Sequence, residues 1–192
     1  MKLTKWAMLV PAMIAAFGCA TGTRTRSLDS SERARVYYEQ GISLSQEERY
    51  EEALSAFKKA VDSYPEYGDA YYNMGIVYHE LDRDERAIEA YQKAIAINPR
   101  DVTARNNLGN VYIRREQLNA AIGVLEQAVR IDPTYGLARH NLALAYYLAK
   151  MYHRAEEQLE ELKLLGITPD AELTEAVDDA LNREKGAGSQ GD

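Results

Sequence analysis

From about residue 34 onward, apolar residues recur at the three- and four-residue spacing of amphipathic helices. Within 68–101 the first run is Tyr71, Met74, Val77, Tyr78 and Leu81, and the second is Ala87, Ile88, Tyr91 and Ile95. They predict one helix over about 69–81 and another over about 85–97. Pro99 stops the second, because proline lacks the amide hydrogen that a helix interior needs.

The same pair of runs recurs along the chain. Pro65, Pro99 and Pro133 are spaced by 34, and so are Ala53, Ala87, Ala121 and Ala155. Ala60, Ala94 and Ala128 keep that period, as do Gly41, Gly75 and Gly109, with Ala143 completing the series. Four registers with one period divide the chain into units at 34–67, 68–101, 102–135 and 136–169. The small residues have a packing reason. Gly75 and Ala87 fall where the two helices of one unit cross, and Ala94 where the next unit closes in. After the fourth unit, Thr168, Pro169 and Asp170 read as a helix start: a capping hydroxyl, a proline in the first turn and an acid at the positive end. The predicted helix, 169–182, carries one apolar stripe of Leu173, Ala176, Val177, Ala180 and Leu181. It closes the open end of the stack. Residues 183–192 have no apolar anchor and read as a disordered tail.

The period and its small and large positions resemble the tetratricopeptide repeat family over 34–169. The resemblance implies an all-α, right-handed superhelical solenoid of four helix-turn-helix repeats with a C-terminal capping helix. It also implies a concave groove lined by the first helix of each repeat. The sequence departs from the family pattern in three places. Glu48, Asp82, Glu116 and Lys150 stand where the turn usually has glycine. An early aromatic, present as Tyr37 and Tyr71, becomes Arg105 and Arg139. Ile167 replaces the last proline.

The resemblance directs attention to the groove. One position carries Asn73, Asn107 and Asn141, with Glu39 in the first repeat. An amide both donates and accepts, so a column of them suits the backbone of an extended peptide, like the asparagine ladder of peptide-holding tetratricopeptide domains. The alternative is that these asparagines belong to the repeat pattern and meet water. Tyr38, Ile42, Tyr72, Ile76, Leu144 and Tyr147 flank the column as a semi-apolar floor, and Asn110 and His140 join the groove. The positions of the family's carboxylate clamp hold no Lys or Arg, which argues against a receptor for chaperone tails.

Residues 1–18 have a basic start (Lys2, Lys5) and an apolar run of about a dozen residues, too short for a membrane span. Cys19 follows Gly18 directly. The segment resembles a bacterial lipoprotein signal, in which that cysteine is acylated and becomes the N-terminus. The family prefers Leu and a small residue where Ala16 and Phe17 stand. Residues 19–33 read as the acylated cysteine and a polar tether. Ala20, in place of Asp, implies sorting to the outer membrane, facing the periplasm.

Composition narrows the function further. Hydrophobic residues are 46% and charged residues 28%, a globular balance. Formal net charge is −7, and losing Lys2 and Lys5 with the leader lowers it by two. That sign argues against nucleic acid and against adhesion to anionic lipid, so the membrane is reached through the lipid anchor alone. The chain has one cysteine, and its three histidines show no metal-ligand spacing. No nucleophile motif and no phosphate loop is present, and no cofactor or metal is expected. The expected function is a non-enzymatic scaffold. It would hold a protein, or an extended segment of one, in a cell-envelope complex. A pilotin of type IV pilus biogenesis and a self-assembling structural protein are the alternatives.

The anchor has a direct test. Cys19→Ser is expected to leave the chain unprocessed or soluble, because no acyl chain can be attached. The processed wild type is expected to lack tryptophan, since Trp6 is the only one. Wild-type protein in the soluble fraction with no acyl mass would refute lipidation.

Overall fold

The structure is a computed structural model and describes residues 28–188. The leader, Cys19 and most of the expected tether lie outside the described residues. Within them stand nine helices: α1 (Ser30–Gln46), α2 (Tyr50–Ser63), α3 (Gly68–Glu80), α4 (Asp84–Ile97), α5 (Val102–Arg114), α6 (Leu118–Ile131), α7 (Gly136–Leu148), α8 (Tyr152–Leu164) and α9 (Ala171–Gly188). Each packs on the next in sequence. In addition α1 touches α3, α3 touches α5 and α5 touches α7. First helices therefore approach one another along one side of the stack, and that side is its inner wall.

The crossing within each repeat follows the small-residue register. A Cβ placed on Gly41 would sit 2.5 Å from the Phe57 ring, one on Gly75 2.5 Å from Tyr91, and one on Gly109 2.5 Å from Leu125. Phe57, Tyr91 and Leu125 are all but inaccessible, as are Ala53, Ala87, Ala121 and Ala155. Large side chains on second helices thus fill the space that glycine vacates on first helices.

The turn departures keep the family geometry with other residues. Glu48, Asp82, Glu116 and Lys150 have φ of 58°, 54°, 57° and 60°, the left-handed region that favours glycine. The following amide reaches back to the helix carbonyl that closes the cap: Arg49 N–H to Leu44 O at 2.9 Å, Arg83 to Tyr78 at 2.8 Å, Gln117 to Tyr112 at 2.9 Å, Met151 to Tyr146 at 2.8 Å. That hydrogen bond holds each residue in place against its steric cost.

The aromatic-to-arginine departures are matched across the repeat. The Lys59 ammonium lies 5.7 Å from the Tyr37 ring centre and Lys93 lies 5.3 Å from Tyr71. One and two repeats later the partners are Arg105 with Gln127 (3.5 Å) and Arg139 with Glu161 (3.5 Å). Cation and acceptor have exchanged helices. Buried Arg139 also donates to Pro133 O at 2.8 Å and Gln158 Oε1 at 3.1 Å, so its charge stays solvated by protein oxygens.

Three boundaries differ from the sequence expectation. α1 begins at Ser30, inside the expected tether, because Asp29 accepts from the Glu32 amide and Glu32 returns the bond, a capping box. α9 is capped by Asp170, which accepts from Leu173 N–H at 2.8 Å, and not by Thr168. It also runs through 183–188, which were expected to be disordered. The apolar stripe of α9 packs as expected, with Leu173, Val177, Ala180 and Leu181 buried.

Ala87→Leu and Ala121→Leu are expected to lower stability by about 1–3 kcal/mol through overpacking, while exposed Glu89→Gln leaves the denaturant midpoint unchanged. Equal midpoints for all three would refute the crossing register. Glu116→Gly is expected to raise stability by roughly 0.5 kcal/mol, the relief of left-handed strain outweighing glycine's greater unfolded-state freedom; a lower melting temperature would refute it.

Candidate partner-binding face

The inner wall is built from recurrent positions of α1, α3, α5 and α7. The asparagine column lies on it, but its amides are already engaged. Asn73 Nδ2 donates to Tyr38 Oη at 3.2 Å and to Asp69 O at 2.8 Å. Asn107 Nδ2 donates to Tyr72 Oη at 3.1 Å. Asn141 Nδ2 donates to Asn106 Oδ1 at 2.9 Å. Every rung joins a residue to the one 35 positions earlier, so each repeat is tied to its predecessor. The expected simple column of free amides is corrected to a ladder between repeats. Sequence reasoning grouped asparagines with tyrosines as neighbours and missed that they bond each other; the constant offset of 35 was the available signal.

The ladder changes what the wall offers. Burial, aided by the nearby Asp69 charge, raises the Tyr38 hydroxyl pKa, and burial does the same for Tyr72. Both phenols stay protonated. Each accepts from asparagine and retains its own O–H as a donor. Among the described residues, no hydrogen bond is donated to the Oδ1 atoms of Asn73 and Asn141. Hydroxyl donors and amide acceptors therefore line the wall together, the complement of a peptide backbone.

The flanking residues are spread along the wall. Tyr38 packs its ring 4.9 Å from Tyr67 and 5.9 Å from Phe57, and Ile42 lies half-buried beside the same core. Ile76, Asn107 and Asn110 line a cavity of about 220 Å³ with His79, Glu80 and Tyr91. Burial pushes the Tyr91 hydroxyl well above the usual phenol range, so it too is neutral there. Tyr72 borders Tyr91 at 6.0 Å. Farther along, His140 lines a cavity of about 640 Å³ with Leu137, Ile167 and Pro169. Leu144 is half-buried against the second core cluster. Tyr147 lies 5.8 Å from Tyr152 and faces Ala180, Arg183 and Glu184 of α9 across about 310 Å³. Glu39, at the first rung, is exposed and near Arg35 at 3.8 Å.

Charge at the wall's edge is paired between repeats. Arg114 on α5 reaches Asp82 in the preceding repeat's turn, at 2.9 Å, and Asp84 at the start of α4. Burial opposes ionisation of Asp84, but the Arg114 guanidinium prevails and its pKa is lowered. His79 Nδ1 stands 3.5 Å from the same carboxylate. Among the described residues no group of acids, histidines or cysteines is arranged to hold a metal, and no helix is long and apolar enough to cross a membrane.

Comparison with known proteins agrees with this architecture. No curated protein matches the sequence. Among solved structures, MamA is 25% identical over 69% of this chain and 78% of that one, with a TM-score of 0.67. YrrB, described as a tetratricopeptide repeat protein with an unusual peptide-binding site, is 28% identical over 79% of this chain and 74% of that one, TM-score 0.63. The pilF protein of Pseudomonas aeruginosa, 24% identical over 81% and 71% with a TM-score of 0.66, shares the fold. Matches to tetratricopeptide repeat models cover residues 38–102, 90–123 and 109–149. The period of 34, the stacked helix pairs and these matches agree, and the chain belongs to the tetratricopeptide repeat family.

Proposed function

We propose that this chain is a non-catalytic adaptor that holds an extended protein segment along its inner wall. The observation that carries the reading is the ladder. It keeps a row of neutral hydroxyl donors and amide acceptors at repeat spacing beside apolar side chains. YrrB supports it by analogy, as a relative with a peptide-binding site. The lipoprotein-like leader extends the proposal: the adaptor is tethered through Cys19 to the outer membrane, faces the periplasm, and recruits or assembles an envelope complex. Its acidity and the lack of a Lys/Arg clamp favour an internal or basic segment over a free carboxylate end.

The test is the double substitution Asn73→Ala, Asn107→Ala. Each lost pairing costs about 0.5–1.5 kcal/mol, so captured envelope protein is expected to bind roughly tenfold more weakly or worse. Helicity by circular dichroism is expected to persist, because the rungs lie outside the apolar core. Unchanged affinity with intact helicity would move the binding site off the inner wall.

A further inference from the structure

The cavity of about 640 Å³ at the end of the inner wall is bounded on one side by the link between α8 and α9. Four residues separate α2 from α3, α4 from α5 and α6 from α7, but six separate α8 from α9. The proline that ends the earlier second helices is Ile167 here. Gly166, at φ 73°, turns the chain out of α8. Ile167 then folds back against the first turn of α7, where a Cβ on Gly136 would lie 2.6 Å from its Cδ1. The gap between α7 and the link is walled by Leu137, His140, Leu162, Ile167 and Pro169.

Two properties of this end point to an occupant. The walls are largely apolar yet open: Leu137 is 61% exposed and Ile167 39%. The elements that form this end are acidic, and Asp170 lines the cavity itself. From Tyr152 to Gly188, α8, the link and α9 carry ten carboxylates against four cations. A volume within the roughly 300–1,000 Å³ typical of ligand pockets accommodates a large side chain. An acidic surround attracts cations and repels carboxylates.

We infer that this cavity anchors a bulky apolar side chain of an extended partner segment, and that Lys or Arg flanks the anchor. The inference rests on the inner-wall reading, since Leu137 and His140 precede Asn141 on the same helix face. It adds a direction to it. The anchor sits at the fourth repeat, and the rest of the segment runs back over the asparagine–tyrosine rungs toward α1.

The experiment uses the full chain in lipid nanodiscs and a displayed library of random twelve-residue peptides as probe. Selected peptides are expected to share one Leu, Ile, Met or Phe beside Lys or Arg. Leu137→Ser with Ile167→Ser is expected to weaken them by at least about tenfold, with helicity intact because both side chains are substantially exposed. Replacing the peptide's Lys or Arg with Glu is expected to abolish binding. On titration, the imidazole resonances of His140 are expected to shift while those of exposed His153 stay. Peptides weakened by Asn73→Ala, Asn107→Ala but not by the Leu137 and Ile167 changes would overturn the anchor and leave the inner-wall reading standing. Peptides insensitive to both pairs, or a selection without consensus, would overturn both. A concentration-dependent dimer lost on the Leu137 and Ile167 changes would assign the cavity to a second copy and overturn the inference.

Discussion

The close crossing inside each repeat is the constraint on which the stack depends. A first helix can meet its second helix only because Gly41, Gly75 and Gly109 have no side chain at the point that Phe57, Tyr91 and Leu125 occupy. The fourth repeat meets the same demand with Ala143. The distance set there fixes where the next turn begins, and the turn must then fold in three residues. The left-handed residue at each turn is a consequence. With Glu48, Asp82, Glu116 and Lys150 the chain accepts local strain to keep the crossing geometry, and the returning amide bond holds it.

Once the crossings are set, the faces become free to diverge. The outer pairing changes from lysine over tyrosine in the first two repeats to arginine against glutamine or glutamate in the last two. Both versions join a first helix to a second helix through one cation and one electron-rich partner. The inner wall changes as well. It carries tyrosine hydroxyls beside the first two rungs and Leu137, Leu144 and Tyr147 near the last. A repeated backbone thus presents a graded surface, which is what a directional segment requires.

Much of this was legible in the sequence, because period and size are one-dimensional properties. The 34-residue spacing located the helices, and the small residues located the crossings. The cap helix was legible from its apolar stripe, although its N-cap was misassigned: Thr168 and Asp170 are both good caps, and only the path of the longer link selects the second. Helix ends were less legible where a capping box, as at Asp29 and Glu32, extended a helix into polar sequence. The binding face was legible as a column of positions but not as a network. Which partner an amide takes depends on the offset between repeats, and that offset is a property of three-dimensional stacking. The large cavity left only a faint trace in the sequence, Ile167 in place of proline, since a void is made by what neighbouring segments fail to fill.

The uneven distribution of acid has a consequence for orientation. With a net −6 on residues 152–188, out of the chain's formal −7, the molecule carries an electric dipole along its length. In the field of any anionic surface such a body experiences a torque that swings α8 and α9 outward and leaves the α1 end nearest. The effect acts within about 10 Å at ordinary ionic strength and fades as salt is added.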